Sequence, residues 1–443
     1  MKRLLKRALK KLVLVAFKPI YCVVNKLIRE LDSLSPSNDL VLLNNIMNSK
    51  MILEEINEQL KNKGECICIF APMFGEVKNE DGYIQRIRVI DDEILSSYHR
   101  IYLYDDKKKN QELTIKRINK KHTYIVYNCY NEEHRDFIFE LVRVTGKLYI
   151  HSIYRLMDCA IKNWLCKLLL MDNVYKIWDV HGSVPEECLL YGEQKRADIA
   201  NSLEKIVYQR MNVAVVVTTA MRQHLLEKYG KSSIELVSLP IFNEKILKVV
   251  DCDIDKKYLD GELPKIVYAG GLNRWQNIGL MLQVIEKTMR DYQYKIFVPL
   301  GHSMESLKEW QAKKKIVNIT IDSKTPSDLM YEYRYCHYGF ALREDIVVNN
   351  VACPTKIVEY LKYGIVPILK TNKIGDFASL GMQYIPYEKL LSKELPSGNE
   401  RLMMARHNYK VLKKIEDIYT QGKRALEKHL EQSVYKMRMV QDA

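Results

Sequence analysis

Residues 338–369 read YGFALREDIVVNNVACPTKIVEYLKYGIVPIL, and this stretch decides the fold. Gly339 to Leu342 has the composition of a buried strand, and a polar loop follows it. A helix opens near Pro354–Thr355, Gly364 closes it, and VPIL forms a second buried strand. Pro354 is tolerated at the first helical position because its missing N–H would have no intrahelical partner there. A helix that starts after a buried strand points its free N–H groups and positive dipole end outward, which suits an anionic ligand. Lys356 stands in the first turn, where its charge opposes the dipole unless an anion lies near. Glu359 follows one turn later, so the two side chains share a face. A cation and a carboxylate at the mouth of an α/β crevice can hold a phosphate and a hydroxyl; an i,i+3 ion pair on a surface helix has the same spacing.

The same strand–helix rhythm extends in both directions. Toward the N-terminus of this unit lie KIVYAGG (265–271), a helix from about Gly279 to Arg290, KIFVPLG (295–301) and VNITI (317–321). An earlier series holds CICIFAP (66–72), RIYLY (100–104), TYIVYN (123–128), KLYIHS (147–152), VYKIWDVHG (174–182) and VAVVVTT (213–219). Helical segments alternate with both series, which argues for parallel sheets. Between them, residues 238–264 carry Pro240, the acidic run DCDID (251–255), Gly261 and Pro264, the composition of a linker. The expected class is α/β, with two Rossmann-like doubly wound domains facing across a cleft. The expected segments are 1–64, 65–245, a linker at 246–263, 264–400, and helices over 401–443 packing back across both domains.

Composition limits the partners. The 443 residues include 47% apolar and 28% charged side chains, normal for a globular chain, with a net charge of +14 that favours acidic partners. The 29 tyrosines form no RNP-like stripe, so nucleic acid is not an expected partner. Ten cysteines are scattered without CxxC or zinc spacing, which fits a reducing cytoplasm and predicts no metal site. In MKRLLKRALKKLVLVAFKPIYCVVNKLIRE (1–30), Lys18–Pro19 interrupt the apolar run, which is too short to span a bilayer. On a helix, Arg3, Lys6, Arg7 and Lys10 oppose Leu4, Leu5, Ala8 and Leu12. That pattern suits an anionic membrane surface and places the protein peripherally on the inner face of the plasma membrane. A basic helix docked on its own protein, or a disordered basic tail, has the same composition.

Three further motifs sit at expected strand ends. In IVYAGGLNRWQN (266–277), Gly270 and Gly271 permit a tight turn and close approach to a ligand, and Trp275 can stack on a base or sugar or join the core. The motif lacks the spacing of a dinucleotide fingerprint or a Walker A loop. DVHG (179–182) ends an apolar strand, so His181 points into the crevice or lies exposed on a turn capped by Asp179. NEDGYIQRIRVID (79–91) opens a helix after the first strand, with Asp81 or Asn79 as cap and Arg86 and Arg88 along it.

Together, DGYIQR, DVHG, YAGGLNRWQN and CPTKIVEYLKYGIVPI resemble, in this order, the motifs of two-Rossmann-domain (GT-B) glycosyltransferases. The similarity is to the family-4-like sugar transferases of bacterial surface-polysaccharide assembly, and it covers roughly residues 66–400. It implies transfer of a sugar from a UDP- or GDP-sugar co-substrate to a saccharide or lipid-linked acceptor, with no further cofactor and with retention of configuration. It implies donor contacts from Gly270, Gly271, Trp275, Gln276, Asn277, Arg343, Pro354, Thr355 and Glu359, the last accepting bonds from ribose hydroxyls. His181 resembles the family's active-site histidine near the transferred sugar. Asp81, Gly82, Tyr83, Arg86 and His151 fall on the acceptor side. The chain departs from the pattern in two places: Val351 stands where the first of two paired acids is usual, and Gly271 and Gln276 replace the usual basic pair. Arg274, Arg343 and Lys356 are the candidates to neutralise the leaving diphosphate instead. These departures leave open a nucleotide-sugar epimerase of the same fold, or an inactive relative that binds and scaffolds.

Overall fold

The computed structural model describes residues 66–71, 82–106, 112–157, 162–241, 254, 263–300 and 303–441. The expected basic N-terminal helix, Asp81 and most of the expected linker lie outside the described residues. Two sheets organise the rest. The first holds β1 (Cys66–Phe70), β2 (His99–Asp105), β3 (Thr114–Asn119), β4 (His122–Tyr127), β5 (Lys147–Ile150), β6 (Tyr175–Val180), β7 (Val213–Val216) and β8 (Glu235–Ser238). Their order is β3-β4-β2-β1-β5-β6-β7-β8, parallel throughout except for the β3–β4 hairpin pair. The second holds β9 (Lys265–Ala269), β10 (Gln293–Val298), β11 (Ile319–Ser323), β12 (Tyr338–Ala341), β13 (Val366–Leu369) and β14 (Ile385–Pro386), all parallel, in the order β11-β10-β9-β12-β13-β14. Leaving out the hairpin strand, each sheet follows the doubly wound order in which the chain reverses beside its first strand. The reversals fall between β1 and β5 and between β9 and β12, where a crevice opens beyond the carboxyl ends of the strands.

β3 and β8 escape the sequence reading. β3 (TIKRIN) is an edge strand with one buried residue, so it has no apolar run. β8 (ELVS) alternates at the opposite edge and is only four residues long. The helix α1 (Gly82–Val89) continues into a wider π turn over Ile90–Ile94. Inside that turn the buried carboxylate of Asp91 accepts from Arg100, His122 and the Tyr102 hydroxyl, a network that fixes the helix to β2 and β4.

The halves meet beyond β7 and along the C-terminal helix, among other places. Beyond β7, the Thr218 hydroxyl donates to the Val351 carbonyl at 2.7 Å. Asp376 then accepts from the first free N–H groups of α3 (Thr219–Tyr229), where its charge complements the helix dipole. The C-terminal helix, Gly398–Gln441, lies across both halves. Its Val411, Ile415, Tyr419 and Leu426 share one apolar cluster with Val213 and Val215 of the first sheet and with Ala341 and Leu369 of the second. Gly422 makes the close crossing possible, since a Cβ there would sit 2.0 Å from the Ser238 carbonyl oxygen. Gly422→Ala gains about 1 kcal/mol of helix propensity but forces a backbone contact that costs about 1–3 kcal/mol. The expected result is a lower Tm by calorimetry; a higher Tm would contradict this crossing.

Candidate functional site

On the first half, the site is built around Asp179, near the carboxyl end of β6 and 1% exposed. Arg86 reaches it from α1, with Nη2 donating to Oδ1 at 3.0 Å and Nε to both oxygens at 3.2 Å. The Tyr149 hydroxyl donates to Oδ2 at 2.7 Å, and His151 Nδ1 lies 3.2 Å from the same oxygen. Burial disfavours the carboxylate charge, but Arg86 and His151 outweigh it and hold Asp179 well below the usual carboxylate range.

His181 rests on this base. Its ring stacks on His151, with centroids 4.6 Å apart at 17°, and Tyr83 stands edge-on to both rings at 4.3 and 5.0 Å. The other His151 nitrogen lies 3.1 Å from the Tyr83 carbonyl oxygen. Burial and the neighbouring His151 pull His181 down to about 3, so it is a neutral imidazole at pH 7. Its Nδ1 is buried without a partner. His151, Asp179 and His181 also place ligand-type atoms within 4.8 Å of one another. The donor set fits a cation poorly: Arg86 sits against the carboxylate, and both His151 nitrogens already face oxygen atoms.

These contacts correct two acceptor-side expectations. Arg86 and His151 are both 0% exposed and face inward, so they hold Asp179 and His181 in place and do not line the cleft. Tyr83 is partly exposed beside His181, and Gly82 opens α1. His181 is likewise not a free turn residue, and Asp179 is an ion-pair partner, not a cap.

On the second half, β12 leads into Arg343, then into α5 (Val347–Asn350) and α6 (Thr355–Lys362). Pro354 precedes the helix as its N-cap, with φ −67° and ψ 120°, one position earlier than expected. Thr355 is the first helical residue. Lys356, 6% exposed, turns back toward the end of β9. Its Nζ donates to Gln276 Oε1 at 3.0 Å and lies 4.0 Å from the Tyr268 ring centroid. Gly270, with φ 144°, makes room for it: a Cβ there would lie 2.9 Å from Lys356 Nζ. The glycine therefore accommodates a lysine, a role its motif did not reveal. Gly271 accepts from the Tyr268 hydroxyl through its carbonyl.

Arg343 is the second buried cation, 6% exposed. Its Nη1 donates to Asn349 Oδ1 at 3.3 Å, and its Nε is buried without a partner. Among the described residues neither Arg343 nor Lys356 forms a salt bridge. Burial and the charge of Arg343 push Lys356 well below its ordinary value, and burial draws Arg343 down to about 10. Two desolvated like charges whose side-chain hydrogen bonds go to neutral amides are costly unless an anion joins them.

Glu359 is held separately, accepting from the Tyr333 hydroxyl at 2.8 Å. Tyr333 ends α4 (Pro326–Tyr333). Burial raises the Glu359 carboxyl, while Tyr333 and Lys356 oppose that shift. The simple i,i+3 surface pair is therefore not what forms.

Three donor-side expectations change. Arg274 is exposed and gives its Nη1 to the Leu190 carbonyl at 2.7 Å, so it braces the two halves instead of joining the buried cations. Trp275 meets Tyr191 edge-on at 6.0 Å. Asn277 takes a left-handed turn, φ 55°, and donates to Glu344 at 2.6 Å. Val351, where the resemblance expects an acid, is 4% exposed and packs into the apolar core of the first half. Tyr149, Tyr268 and Tyr333, which orient the polar groups, carry no local sequence signal because their partners lie far away in the chain.

No family model matches the chain, and no curated protein matches it in sequence. Solved structures do. Sucrose-phosphate synthase from Thermosynechococcus elongatus aligns with a TM-score of 0.50 at 12% identity, covering 85% of this chain and 98% of that one. A structure described as trehalose-6-phosphate from E. coli bound with UDP-2-fluoro glucose gives 0.53 at 12% identity, over 82% and 98%. A trehalose-6-phosphate synthase studied with bisubstrate glycomimetics gives 0.54 at 11% identity, over 83% and 99%. With two sheets wound in the same order and facing across a crevice, the chain has the GT-B fold.

Proposed function

We propose that the protein is a glycosyltransferase that moves a sugar from a nucleoside diphosphate sugar to a saccharide or lipid-linked acceptor. The observation that carries this reading is the pair of buried cations, Lys356 and Arg343, bonded to the neutral amides of Gln276 and Asn349. A diphosphate would supply the missing negative charge, and the same groups would stabilise it as a leaving group. Lys356 takes over the task of a basic residue absent at Gln276, while the Gln276 amide positions the ammonium. Glu359, held by Tyr333, is placed to accept from ribose hydroxyls. His181, neutral and with a free buried nitrogen, is placed to accept from a sugar hydroxyl.

The course we assign is retention, in line with the neighbour described in terms of glycosyltransfer with retention. The acceptor oxygen then bonds to C1 on the face from which the diphosphate leaves with the C1–O electron pair, and the departing phosphate oxygen takes the acceptor proton. UDP is the first nucleotide to test, with GDP the alternative, because one neighbour is described with UDP-2-fluoro glucose. The residues present can perform this transfer without a metal or organic cofactor. The basic N-terminal segment supports a peripheral site on the cytoplasmic face of the membrane and a role in surface polysaccharide assembly. No described helix is long and apolar enough to cross a membrane.

The test is incubation with UDP- and GDP-sugars with and without a membrane extract. Nucleotide release only with extract supports transfer. Interconversion of sugars without extract would identify an epimerase, and binding without turnover a scaffold, the reading favoured by Val351. Glu359→Ala is expected to weaken UDP or GDP binding about 10-fold. His181→Ala is expected to lower kcat about 100-fold with little change in nucleotide affinity. Unchanged kinetics in both variants would remove this assignment.

A further inference from the structure

The short helix α2 (Val184–Leu190) begins directly after the His181–Gly182–Ser183 turn, with Pro185 in its first turn. It also meets the second half. Leu190 accepts from Arg274, Tyr191 meets Trp275, and α2 packs against α5, the helix that follows Arg343. Its residues therefore link the turn that carries His181 to the segment that follows Arg343.

Glu187 lies in the middle of α2 and does not turn to solvent like an ordinary helix carboxylate. Its Oε1 folds back over Gly182, 2.6 Å from where a Cβ would be, and its Oε2 accepts from the Tyr154 hydroxyl at 3.3 Å. Neighbouring Glu186 is paired with Lys228 at 2.8 Å and lies 3.4 Å from His224. Glu187 has no salt bridge among the described residues. Burial pushes its carboxyl up to about 7, with Tyr154 and Arg343 opposing and Glu186 adding to the rise. On the same turn, His181 Nδ1 and Ser183 Oγ are buried without partners. Three polar groups with unused hydrogen-bonding capacity thus gather on one turn, and the two buried without partners, His181 Nδ1 and Ser183 Oγ, cost the fold unless something fills them.

A polyhydroxylated ring meets this set. A carboxylate accepts from two hydroxyls, a neutral imidazole nitrogen accepts from one, and a serine hydroxyl does either. We propose that Glu187, with His181 and Ser183, forms the subsite that recognises hydroxyls of the sugar carried by the nucleotide donor. The sugar, not the acceptor, is the occupant because α2 lies against the segment that carries Arg343. A pyranose running from the diphosphate toward His181 passes Glu187. This assignment rests on the donor reading above and names the residue that distinguishes one sugar from another.

The experiment is calorimetric titration of the full chain with UDP, UDP-glucose, GDP and GDP-mannose, comparing wild type with Glu187→Ala, Glu187→Gln and Gly182→Ala. Wild type is expected to bind at least one nucleotide sugar more tightly than its nucleotide. Glu187→Ala should remove that preference, about 10-fold, while nucleotide affinity stays within about 2-fold. Gly182→Ala should do the same with Glu187 still present, because its methyl takes the place of Oε1. The wild-type preference should weaken as pH falls through about 7 and the carboxylate takes a proton, whereas that of Glu187→Gln should not. An undiminished preference in both Glu187→Ala and Gly182→Ala overturns the proposal, as does a wild type with no preference for any sugar. A wild type that binds neither nucleotide overturns the donor reading itself, and this subsite with it.

Discussion

Asp179→Ala is expected to destabilise the fold by about 3–5 kcal/mol, because it leaves the fully buried guanidinium of Arg86 without its carboxylate. The Tyr149 hydroxyl and His151 lose their acceptor in the same step. His151, on which His181 stacks, then loses a group that orients it, so activity should fall further than stability alone explains. Urea unfolding separates the two effects. The double variant Arg86→Leu/Asp179→Leu should cost less than the sum of its parts, since no charge remains unpaired. The sign with pH also follows. The folded-state value of Asp179 lies below its ordinary one, so its contribution is present above the usual carboxylate range and is lost as pH falls toward the folded value. The alanine variant should therefore differ most from wild type at neutral pH and converge with it in strong acid. Equal stability of variant and wild type at pH 7 would remove the ion pair from the account.

Lys356→Met is expected to act in the opposite direction on stability and far more strongly on function. The ammonium is buried beside Arg343 with an amide as its hydrogen-bond partner. An apolar side chain of similar length should leave Tm unchanged or raise it at pH 7. Because the folded-state value of Lys356 is depressed, folding loses stability as pH falls from the ordinary lysine value toward the folded one. Methionine removes that loss. Loss of one preorganised cation at a leaving diphosphate should lower kcat/KM about 10²–10³-fold. A stable variant with wild-type turnover would mean that the anion binds elsewhere.

Much of this arrangement was legible in the sequence. The alternation of apolar runs with helical segments gave both sheets, because parallel strands buried on two faces carry long apolar stretches. Lys356 was conspicuous because a cation in the first turn of a helix is unfavourable without an anion. Other features were hidden for definite reasons. Arg86 and Arg88 are two like charges two positions apart on one helix, and only the distant Asp179 determines that Arg86 is buried as an ion pair. Arg274 had the charge of a phosphate ligand, but its partner is a carbonyl 84 residues away. β3 is polar because an edge strand buries little, and Gly270 looked like a ligand-binding glycine although a lysine fills its space. Glu187 has no motif of its own, and only folding carries it over Gly182.

The most direct test of the central claim is calorimetric titration of the intact chain with UDP and GDP. The account predicts that one of them binds to wild type, because a diphosphate pairs with the two buried cations Lys356 and Arg343. It also predicts that binding is lost in Lys356→Met/Arg343→Met. Binding of equal strength in that double variant would contradict a diphosphate site at the buried cations.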